Sequence, residues 1–581
     1  MRDCPLIVLK FGSSVLRTEA DLPVAVHEIY RWLRNGYQVV AVVSAIGNST
    51  EELLSRAHAY GAGVSDQSVA ALLATGETTS AALLSLALDR AGIPALILDE
   101  VRLGLWTRGP VLNAEPCKID VSAVEEALRQ VPVVVVPGFV GRQEDGTVSL
   151  LGRGGTDLTA VFVGHQLEAE CRLIKDVDGI FEYDPSSSSK SPRRYRTLSW
   201  AEAAQVNGGI VQAKAIHFAE RRGYNFEVAG LNSDQPSLIC PGPARFHGPQ
   251  PDGSRLRVGL LGAGTVGLGV CRYLTAHPEW FRITGIAVRR LEREDGTPGE
   301  LLTPDPWEVV DSDCQLVVEL IGGLWPAKEL IEASLKAGKH VVTANKLVIS
   351  HWGHELRDLA ARNGVRLLYS GTVGGAVPML EQVRRIAETT GVVALSGVLN
   401  GTTNFMLDRL AEGVPRDEAL SEAQRMGFAE ADPSADLDGS DAAQKLALLA
   451  HAAFGRHLHP GHVERTGIGH LDAQAVCEAA ASGFSVRLVA TLETGSDGVI
   501  ARVAPELVDG SHVFAQTRNE ENCLEVRTVT GDLIHVRGKG AGRWPTAEAV
   551  MADVLDVYRT ARTTAAEPEI TECCLATGRV S

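Results

Sequence analysis

The stretch RLRVGLLGAGTVGLGV, residues 255–270, decides the fold of the C-terminal half of the chain. Its apolar run over 256–261 predicts a buried strand, and the glycine-rich segment after it leads into an amphipathic helix. A strand, a Gly-x-Gly-x-x-Gly turn and a helix in this order are typical of a βαβ unit that binds a dinucleotide. The stretch therefore predicts a doubly wound α/β domain of the Rossmann class.

Each glycine of this turn has a distinct expected role. Gly262 allows the tight bend, Gly264 lets the backbone approach the pyrophosphate, and Gly267 lets the helix pack on the strand. Thr265 and Val266 lie in the first helical turn, where free N–H groups and the helix dipole attract an anion.

The next apolar strand, predicted over 283–288, indicates which dinucleotide binds. It ends in Arg289 and Arg290, where an acidic residue would bind the ribose hydroxyls of NAD. Because arginine can instead hold a 2′-phosphate, Arg289 favours NADP(H) over NAD(H). Two solvated surface arginines are the structural alternative.

Bulk composition excludes several function classes. A chain of 581 residues exceeds one hydrophobic core and predicts three or four domains. A net charge of −17 argues against nucleic acid or an anionic membrane as a main partner. Neither a secretion leader nor an apolar run of about 18 residues is evident, so we expect a cytoplasmic protein with reduced cysteines.

Strands alternate with helical patterns almost throughout, which predicts α/β architecture. The main compositional break is CPGPARFHGPQPDGS, residues 240–254, which is rich in Pro and Gly and lacks apolar periodicity. We predict one domain over 1–240, a linker over 241–254, a Rossmann domain over 255–385 and a further α+β domain over 386–581.

Motifs in the N-terminal domain combine glycine turns with charged side chains at predicted strand ends. A lysine at the end of a first strand, beside a small-residue turn, can place its ammonium on a transferring phosphoryl group. Each motif alone could be only a turn or a helix cap. In order they are KFGSS with Lys10, VVSAIGNSTEEL with Ser44, ATGE with Glu77, PGFVG, GRGGTDLTA with Arg153 and Asp157, DVDGIFEYDP with Asp176 and Asp178, and VQAKAIHFAERRG with Lys214.

Together these motifs resemble aspartate kinase of the amino-acid kinase family, over residues 5–230. The resemblance implies a three-layer αβα fold and phosphorylation of the L-aspartate side chain by ATP with Mg²⁺. It implies that Lys10 neutralises the γ-phosphoryl group and that Asp157 organises lysines and magnesium around it. The resemblance assigns aspartate binding to Ser44, Glu77 and Arg153. It places Asp176, Asp178 and Lys214 on the nucleotide side.

The charges of the aspartate-binding positions agree with this assignment. Arg153 can pair bidentately with a carboxylate, and Glu77 can accept from an ammonium group. Two positions depart from the family pattern: Ser13 replaces a glycine, and Lys175 stands where threonine is usual. Alternatives therefore stay open in which this domain is a scaffold or amino-acid-binding module, or phosphorylates glutamate. Since the predicted linker follows the strand NFEVAGL after about ten residues, we expect no ACT regulatory domain between the two halves and no inhibition through one by threonine or lysine.

The C-terminal half carries a second set of charged motifs. Asp441 and Lys445 are four residues apart on a predicted helix, hence on one face. An acidic solvated loop with a surface ion pair is the structural alternative. In order the motifs are VELIGG with Gly322, HVVTANK with Thr343 and Lys346, GTVGGAV, GVLNGTTNF, MGFAEADPSADLDGSDAAQK with Gly427, Glu430, Asp436, Asp441 and Lys445, and GKGAGRWPTAEAV with Gly540.

In sequence these motifs resemble homoserine dehydrogenase, over about residues 255–560. The resemblance implies reduction of L-aspartate 4-semialdehyde to L-homoserine with NAD(P)H. In that chemistry Lys445 donates a proton to the emerging alkoxide, and Asp441 holds its ammonium and binds substrate. Lys346 supports the cofactor and the reacting oxygen, and Glu430 accepts from the substrate amino group. Gly427 and Asp436 belong to the same substrate loop.

The same resemblance implies three further features. Main-chain carbonyls of Val373, Gly375 and Val377 would hold a monovalent cation, Na⁺ or K⁺, although Ser370 replaces a common glutamate. Gly540 would return to the nicotinamide side. The protein would form a homodimer or higher oligomer. A bifunctional kinase and dehydrogenase is the resulting hypothesis, and a monofunctional dehydrogenase with a kinase-like module is the alternative.

Overall fold

The computed structural model of the protein describes residues 4–61, 63–183, 192–206, 209–248, 255–291, 295, 297–429, 432–495, 498–540 and 542–563. These residues form four sheets that are covered by helices. Three of the sheets have six or more strands, and each forms the centre of one domain.

The N-terminal domain is built on a nine-stranded sheet of order β13-β10-β12-β11-β9-β1-β2-β6-β3 and a small sheet of order β5-β4-β7-β8. Its strands β1, β2 and β6 are almost wholly apolar because helices cover both faces of the sheet. The elements are β1 Leu6–Phe11, α1 Leu22–Arg34, β2 Gln38–Val43, α2 Ser49–His58, α3 Asp66–Ala91, β3 Ala95–Ile97, β4 Trp106–Arg108, β5 Glu115–Lys118, α4 Val121–Gln130, β6 Val133–Pro137, β7 Val140–Arg142, β8 Val148–Leu150, α5 Gly155–Gln166, β9 Glu170–Lys175, β10 Tyr195–Leu198, α6 Trp200–Val206, α7 Ala213–Arg222, β11 Phe226–Gly230, β12 Ser237–Ile239 and β13 Arg245–Phe246.

Separate apolar cores lie on the two faces of this sheet. Residues of α4, α5 and α7 form one core, and residues of α1 and α3 form the other. The three-layer αβα prediction for this domain is confirmed. The segment predicted as a linker is partly structured, since β13 pairs antiparallel with β10 at the edge of the sheet.

Among the described residues one helix, α3, is long and apolar enough to cross a membrane, which the sequence prediction does not anticipate. Its Leu73, Leu84 and Leu88 are buried within the N-terminal domain, and Glu77 is buried in its middle. These contacts are those of a core helix, and length and composition alone are weak support for a membrane span.

The Rossmann prediction is confirmed by a second sheet of order β16-β15-β14-β17-β18-β19, in which every pair is parallel. The carboxyl ends of its strands therefore meet at one edge, where ligands bind in such folds. The elements are β14 Leu256–Leu261, α8 Thr265–Ala276, β15 Phe281–Ala287, β16 Leu302–Thr303, α9 Pro306–Asp311, β17 Leu316–Glu319, α10 Ala327–Lys336, β18 His340–Thr343, α11 Lys346–Arg362 and β19 Leu367–Leu368.

The third domain is α+β, with a largely antiparallel sheet of order β21-β23-β22-β20-β24-β25. Its last helix, α18, leaves this sheet and packs its apolar side chains into the core of the Rossmann domain. The elements are α12 Met379–Thr389, β20 Val392–Val398, α13 Gly401–Ala411, α14 Arg416–Met426, α15 Ser434–Leu437, α16 Ser440–Phe454, β21 Glu464–Arg465, α17 Ala473–Ala481, β22 Phe484–Gly495, β23 Gly498–Asp509, β24 Glu521–Thr528, β25 Leu533–Lys539 and α18 Arg543–Thr563.

An ion cluster joins the N-terminal domain to the other two. Arg34, at the end of α1, lies 2.8 Å from Asp553, 3.2 Å from Glu381 and 3.0 Å from Asp556, and it donates to the Ser370 hydroxyl at 3.0 Å. The arginine side chain is only 9% exposed, and Asp553 is fully buried. Burial raises the pKa of Asp553 to about 6, and Arg34 opposes this rise. Buried charges that compensate one another therefore join the N-terminal domain to the other two.

Replacing Arg34 by Met should lower the free energy of unfolding by about 3–5 kcal/mol, because it leaves Asp553 and Glu381 without their cation. The measurement is the thermal unfolding midpoint of the full-length protein. Arg129→Met is the matched control: it removes the same charge from an exposed pair with Glu126 and should leave the midpoint unchanged. Equal midpoints for the two variants would show that the cluster does not hold the domains together.

Candidate active site

The glycine turn after β14 has the geometry that a dinucleotide requires. Gly262 has φ +97°, and a Cβ there would lie 2.7 Å from the Leu320 carbonyl oxygen. A Cβ on Gly267 would lie 2.1 Å from the Gly262 oxygen, so helix and turn can touch only with glycine at this position. A Cβ on Gly264 would meet none of the described atoms within 4 Å. The turn is therefore open at Gly264, directly before the start of α8 at Thr265. This arrangement fits a pyrophosphate.

A buried carboxylate that sequence reasoning missed organises the neighbouring strand ends. Glu319, the last residue of β17, accepts from the Gly322 N–H at 3.2 Å and from the Thr343 hydroxyl at 2.6 Å. Burial raises the pKa of Glu319, and these hydrogen bonds oppose the rise. Asn345 extends the network by donating to the Gly323 carbonyl at 2.7 Å. Gly322 and Thr343 are thereby held at the edge where the cofactor is expected.

Arg289 lies at the same edge. It follows β15, which is parallel to β14, and its side chain is exposed, as is that of Arg290. Both guanidinium groups are therefore accessible to a ligand that extends from the glycine turn towards the end of β15. A phosphate on the ribose is the kind of group that such a position can hold.

The centre of the C-terminal site is a carboxylate between two ammonium groups. Lys346, the first residue of α11, pairs with Asp441, and the Lys445 ammonium lies 2.8 Å from the other oxygen of the same carboxylate. Lys445 also donates to the Leu399 carbonyl at 2.5 Å. Asp441 and Lys445 are buried, whereas Lys346 is more than a third exposed. The i,i+4 pair predicted from sequence is thus part of a buried cluster rather than a surface ion pair.

The charges of this cluster perturb one another. Burial acts to raise the pKa of Asp441, but the ammonium groups of Lys445 and Lys346 outweigh burial and hold it far below its usual range. Burial lowers the pKa of Lys445, against the attraction of Asp441. Lys445 is therefore a stronger acid than a solvated lysine, which suits a proton donor.

Two polar residues before and within α13 complete the site, and sequence reasoning assigned neither of them a role. The Asn400 amide donates to Asp436 at 2.7 Å and to Asp441 at 2.8 Å, and Thr402 donates to Asp436 at 3.0 Å. Asn400 also caps α13 by accepting from Thr403 at 2.9 Å. The motif GVLNGTTNF could have indicated Asn400, because a helix-capping residue there follows a buried strand.

The remaining predicted substrate residues lie in one loop. Gly427 ends α14 with φ +82° and is exposed. The next residue, Phe428, accepts from Thr402 at 2.6 Å, which brings the loop to the site. Glu430 lies outside the described residues.

The predicted cation site does not fit well. Val373, Gly375 and Val377 are buried in a tight turn, but the Val377 carbonyl already accepts from Met379 at 2.7 Å. The side chain of Ser370 is neutral, and its hydroxyl is held by Asp553 at 2.7 Å and by the Arg34 cation. These contacts provide no anionic ligand at position 370.

Gly540 lies beside the turn that contains Gly375. A Cβ on Gly375 would lie 3.3 Å from the Gly540 carbonyl carbon. At Gly540 itself a Cβ would lie 1.8 Å from the Asn522 amide nitrogen, so a larger residue would have to displace that side chain. The structure thus brings the segment after β25 beside the segment after β19, and the return of Gly540 to the nicotinamide side stays a prediction.

A cavity of about 880 Å³ lies in the N-terminal domain. Its lining comes from the carboxyl ends of the neighbouring parallel strands β1, β2 and β9 and from α3 and α5, which is where ligands bind in open α/β sheets. The predicted residues that line it are Lys10, Ser44, Glu77, Arg153, Asp157 and Asp176.

Asp157 is the charge centre of this cavity. Lys10 lies 2.8 Å and Lys175 2.9 Å from its carboxylate oxygens. Burial acts to raise the pKa of Asp157, but the two lysines hold it far below its usual range. Burial, followed by repulsion from Lys10, lowers the pKa of Lys175 to about 8. Both carboxylate oxygens contact lysines, so Asp157 orients Lys10 and Lys175, and Lys175 is a second cation rather than only a departure from the pattern. The role of Asp157 towards magnesium stays a prediction.

Glu77 is available for a cationic ligand. The residue is 2% exposed, and its Oε2 atom has no hydrogen-bond partner among the described residues. Burial raises the pKa of Glu77 to about 7. Arg153, at the same cavity, is exposed. An unpartnered buried carboxylate and an accessible guanidinium are complementary to an amino acid.

Two residues predicted on the nucleotide side, Asp178 and Lys214, make contacts within the protein. Asp178 pairs with Arg194 through Oδ2, and its Oδ1 is buried without a hydrogen-bond partner among the described residues. Lys214 donates to the Leu151 carbonyl at 2.9 Å and contacts Asn113, which braces the turn before α5. Neither residue is among the described residues that line the cavity. Their role on the nucleotide side stays a prediction.

Comparisons with known proteins agree with this division of the chain. The amino acid kinase family model matches residues 5–228. The model described as homoserine dehydrogenase, NAD binding domain, matches residues 262–370, and the homoserine dehydrogenase model matches residues 378–555. These matches cover both sites described above.

Individual relatives match the C-terminal part. The homoserine dehydrogenase of Synechocystis sp. is 38% identical over 320 residues, which cover 52% of this chain and 73% of the relative. The homoserine dehydrogenase of Corynebacterium glutamicum is 36% identical over 323 residues, or 53% and 73% of the two chains. The crystal structure of a homoserine dehydrogenase from Thiobacillus denitrificans is 36% identical and has a TM-score of 0.51, covering 54% of this chain and 76% of that one. Through this part the chain belongs to the homoserine dehydrogenase family, and an amino acid kinase domain precedes it.

Proposed function

We propose that the protein is a bifunctional enzyme that reduces L-aspartate 4-semialdehyde to L-homoserine with NADP(H) and phosphorylates L-aspartate with ATP. The dehydrogenase half is carried by one observation: Lys346, just beyond β18, shares the Asp441 carboxylate with Lys445 of α16. This contact joins the cofactor edge of the Rossmann sheet to a buried proton donor. The family membership of the chain supports the same activity.

The chain's residues supply the proton and orient the substrate. When bound, the nicotinamide cofactor supplies a hydride to the carbonyl carbon. Lys445 donates a proton from its ammonium to the carbonyl oxygen, so that the aldehyde becomes an alcohol. Asp441 keeps that ammonium in position, and Lys346 adds positive charge beside the oxygen. Asp436, held by Asn400, offers a carboxylate to the substrate's amino group.

Lys445→Met should lower the rate of homoserine oxidation by about 10²–10⁴-fold, because it removes the group that exchanges the proton. Asp441 keeps Lys346 as a counterion in this variant, so the fold should persist. Assays with NADP⁺ and NAD⁺ separately measure the loss and the cofactor preference, and NADP⁺ is expected to be used better. Lys336→Met, at an exposed position of α10, is the matched control and should behave as wild type. A Lys445→Met enzyme with unchanged rate would refute the assignment.

For the kinase half, the support is the cavity that gathers Lys10, Lys175 and Asp157 opposite Glu77 and Arg153. Two cations held on one carboxylate can neutralise charge on a phosphoryl group in transfer. Since Asp157 is engaged by lysines, magnesium would have to reach this site mainly on the phosphates of ATP. Glu77 and Arg153 would hold the amino and carboxylate groups of L-aspartate.

Lys10→Ala should abolish ATP-dependent formation of aspartyl hydroxamate and leave homoserine oxidation intact. Lys175 remains on Asp157 in this variant, which keeps the buried carboxylate paired. The assay also separates the alternatives. A wild-type protein that forms no hydroxamate from aspartate would support a kinase-like scaffold or amino-acid-binding module, and faster reaction with glutamate would identify a different acceptor.

The pH dependence of the kinase should report Glu77. Because burial raises its pKa to about 7, the carboxyl group is neutral at lower pH and cannot pair with the substrate ammonium. We expect kcat/KM for aspartate to rise up to about tenfold per pH unit below 7 and to level off above it. Glu77→Gln should remove this dependence and raise KM for aspartate, while homoserine oxidation stays unchanged. A wild-type profile without an inflection near pH 7 would contradict the role of Glu77.

Assembly and location are part of the same proposal. Ile500 and Leu507 on β23 are about two-thirds exposed, which is unusual for large apolar side chains and suits a homodimer contact. The substrates are small molecules, and we place the enzyme in the cytoplasm, where its cysteines would stay reduced.

A further inference from the structure

Another cavity, of about 710 Å³, lies where α1 of the kinase domain meets α12, α16 and α18 of the dehydrogenase part. Its lining includes seven arginines but only four carboxylates. A surplus of positive charge here is unexpected in a chain of net charge −17. None of the lining residues lines the kinase cavity, among the residues that the structure describes.

Part of this positive charge is compensated within the protein. Arg31 pairs with Glu28 and Asp234, and Arg559 pairs with Asp556. Arg34 belongs to the ion cluster that joins the domains. The charges of these three arginines are therefore compensated by carboxylates of the protein.

The other four arginines have no carboxylate within 4 Å among the described residues. Arg357 donates to the Tyr369 hydroxyl at 3.1 Å, and Arg366 donates to the Thr560 hydroxyl at 2.7 Å. Their guanidinium groups are thus oriented by neutral partners. The last two, Arg384 and Arg385, are neighbours on α12, and the Nε of Arg385 is buried without a hydrogen-bond partner in the part of the chain that the structure describes. Buried donors without partners are rare, and each calls for an acceptor.

The chemistry of these groups specifies the ligand. Guanidinium forks bind phosphate and carboxylate through paired hydrogen bonds. A cavity of this volume falls within the range that small-molecule sites occupy. We propose that it binds a small polyanion bearing phosphate or carboxylate groups, held by Arg357, Arg366, Arg384 and Arg385. This site is separate from both proposed active sites and does not depend on either activity.

The position of the site links the two halves of the chain. Arg31 and Arg34 reach it from α1, and His451 reaches it from α16, the helix that carries Lys445. The Nδ1 atom of His451 is a further buried atom without a hydrogen-bond partner among the described residues. An anion bound here contacts the kinase domain and the catalytic helix of the dehydrogenase together.

Calorimetric titration of the full-length protein with inorganic pyrophosphate, and separately with citrate, tests the proposal. Saturating ADP and NADP⁺ are present, so that the two nucleotide sites are filled. We expect saturable binding of one anion per chain. The probe that binds with the higher affinity shows whether the cavity prefers phosphate or carboxylate.

The variants assign that binding to the cavity. Arg384→Gln combined with Arg385→Gln should weaken the affinity at least tenfold, and Arg357→Gln should weaken it independently if the double variant fails to fold. Arg425→Gln is the control, since it removes an equally charged, exposed side chain on α14. Absence of saturable binding with both probes, or equal affinity in the folded cavity variants and the control, would overturn the proposal.

Discussion

The dehydrogenase site depends on one buried carboxylate shared by two ammonium groups. Asp441 could not be buried as an anion without nearby cations, because an isolated charge in the interior costs several kcal/mol. Lys346 and Lys445 remove that cost and are held in place in return. Since Lys346 belongs to the Rossmann domain and Lys445 to α16, the same interaction fixes the cofactor edge relative to the proton donor. The same three charges therefore stabilise the fold and position the proposed proton donor.

The kinase domain uses the same arrangement with different residues. Asp157 lies between Lys10 and Lys175, and its pKa is depressed for the same physical reason. In the proposed dehydrogenase reaction Lys445 would release a proton, whereas in the proposed kinase reaction Lys10 and Lys175 would stay charged and face phosphate. The surroundings decide which outcome follows: Lys445 is enclosed beside a substrate loop, and Lys10 faces a wide cavity lined by glycine turns.

Buried polar contacts also join the kinase domain to the dehydrogenase part. Arg34 from the kinase helix α1 compensates Asp553 on α18, a helix that itself packs in the Rossmann core. Ser370 takes part in this cluster at the position where the family resemblance leads one to expect a glutamate. A glutamate there would add another anion to a group already containing Asp553 and Glu381. The neutral hydroxyl is therefore consistent with a turn adapted to the attached kinase domain.

Features that depend on near neighbours in the chain were determined by the sequence itself. The strand and glycine turn around Gly262 and the i,i+4 pair of Asp441 and Lys445 follow from local periodicity and backbone geometry. Only the tertiary structure decided which remote groups meet: Lys346 reaches Asp441 from 95 residues away, Glu319 joins two strand ends, and α18 returns to an earlier domain. Contacts of this kind depend on how separate elements pack and on where buried charges find partners, and no local pattern encodes that.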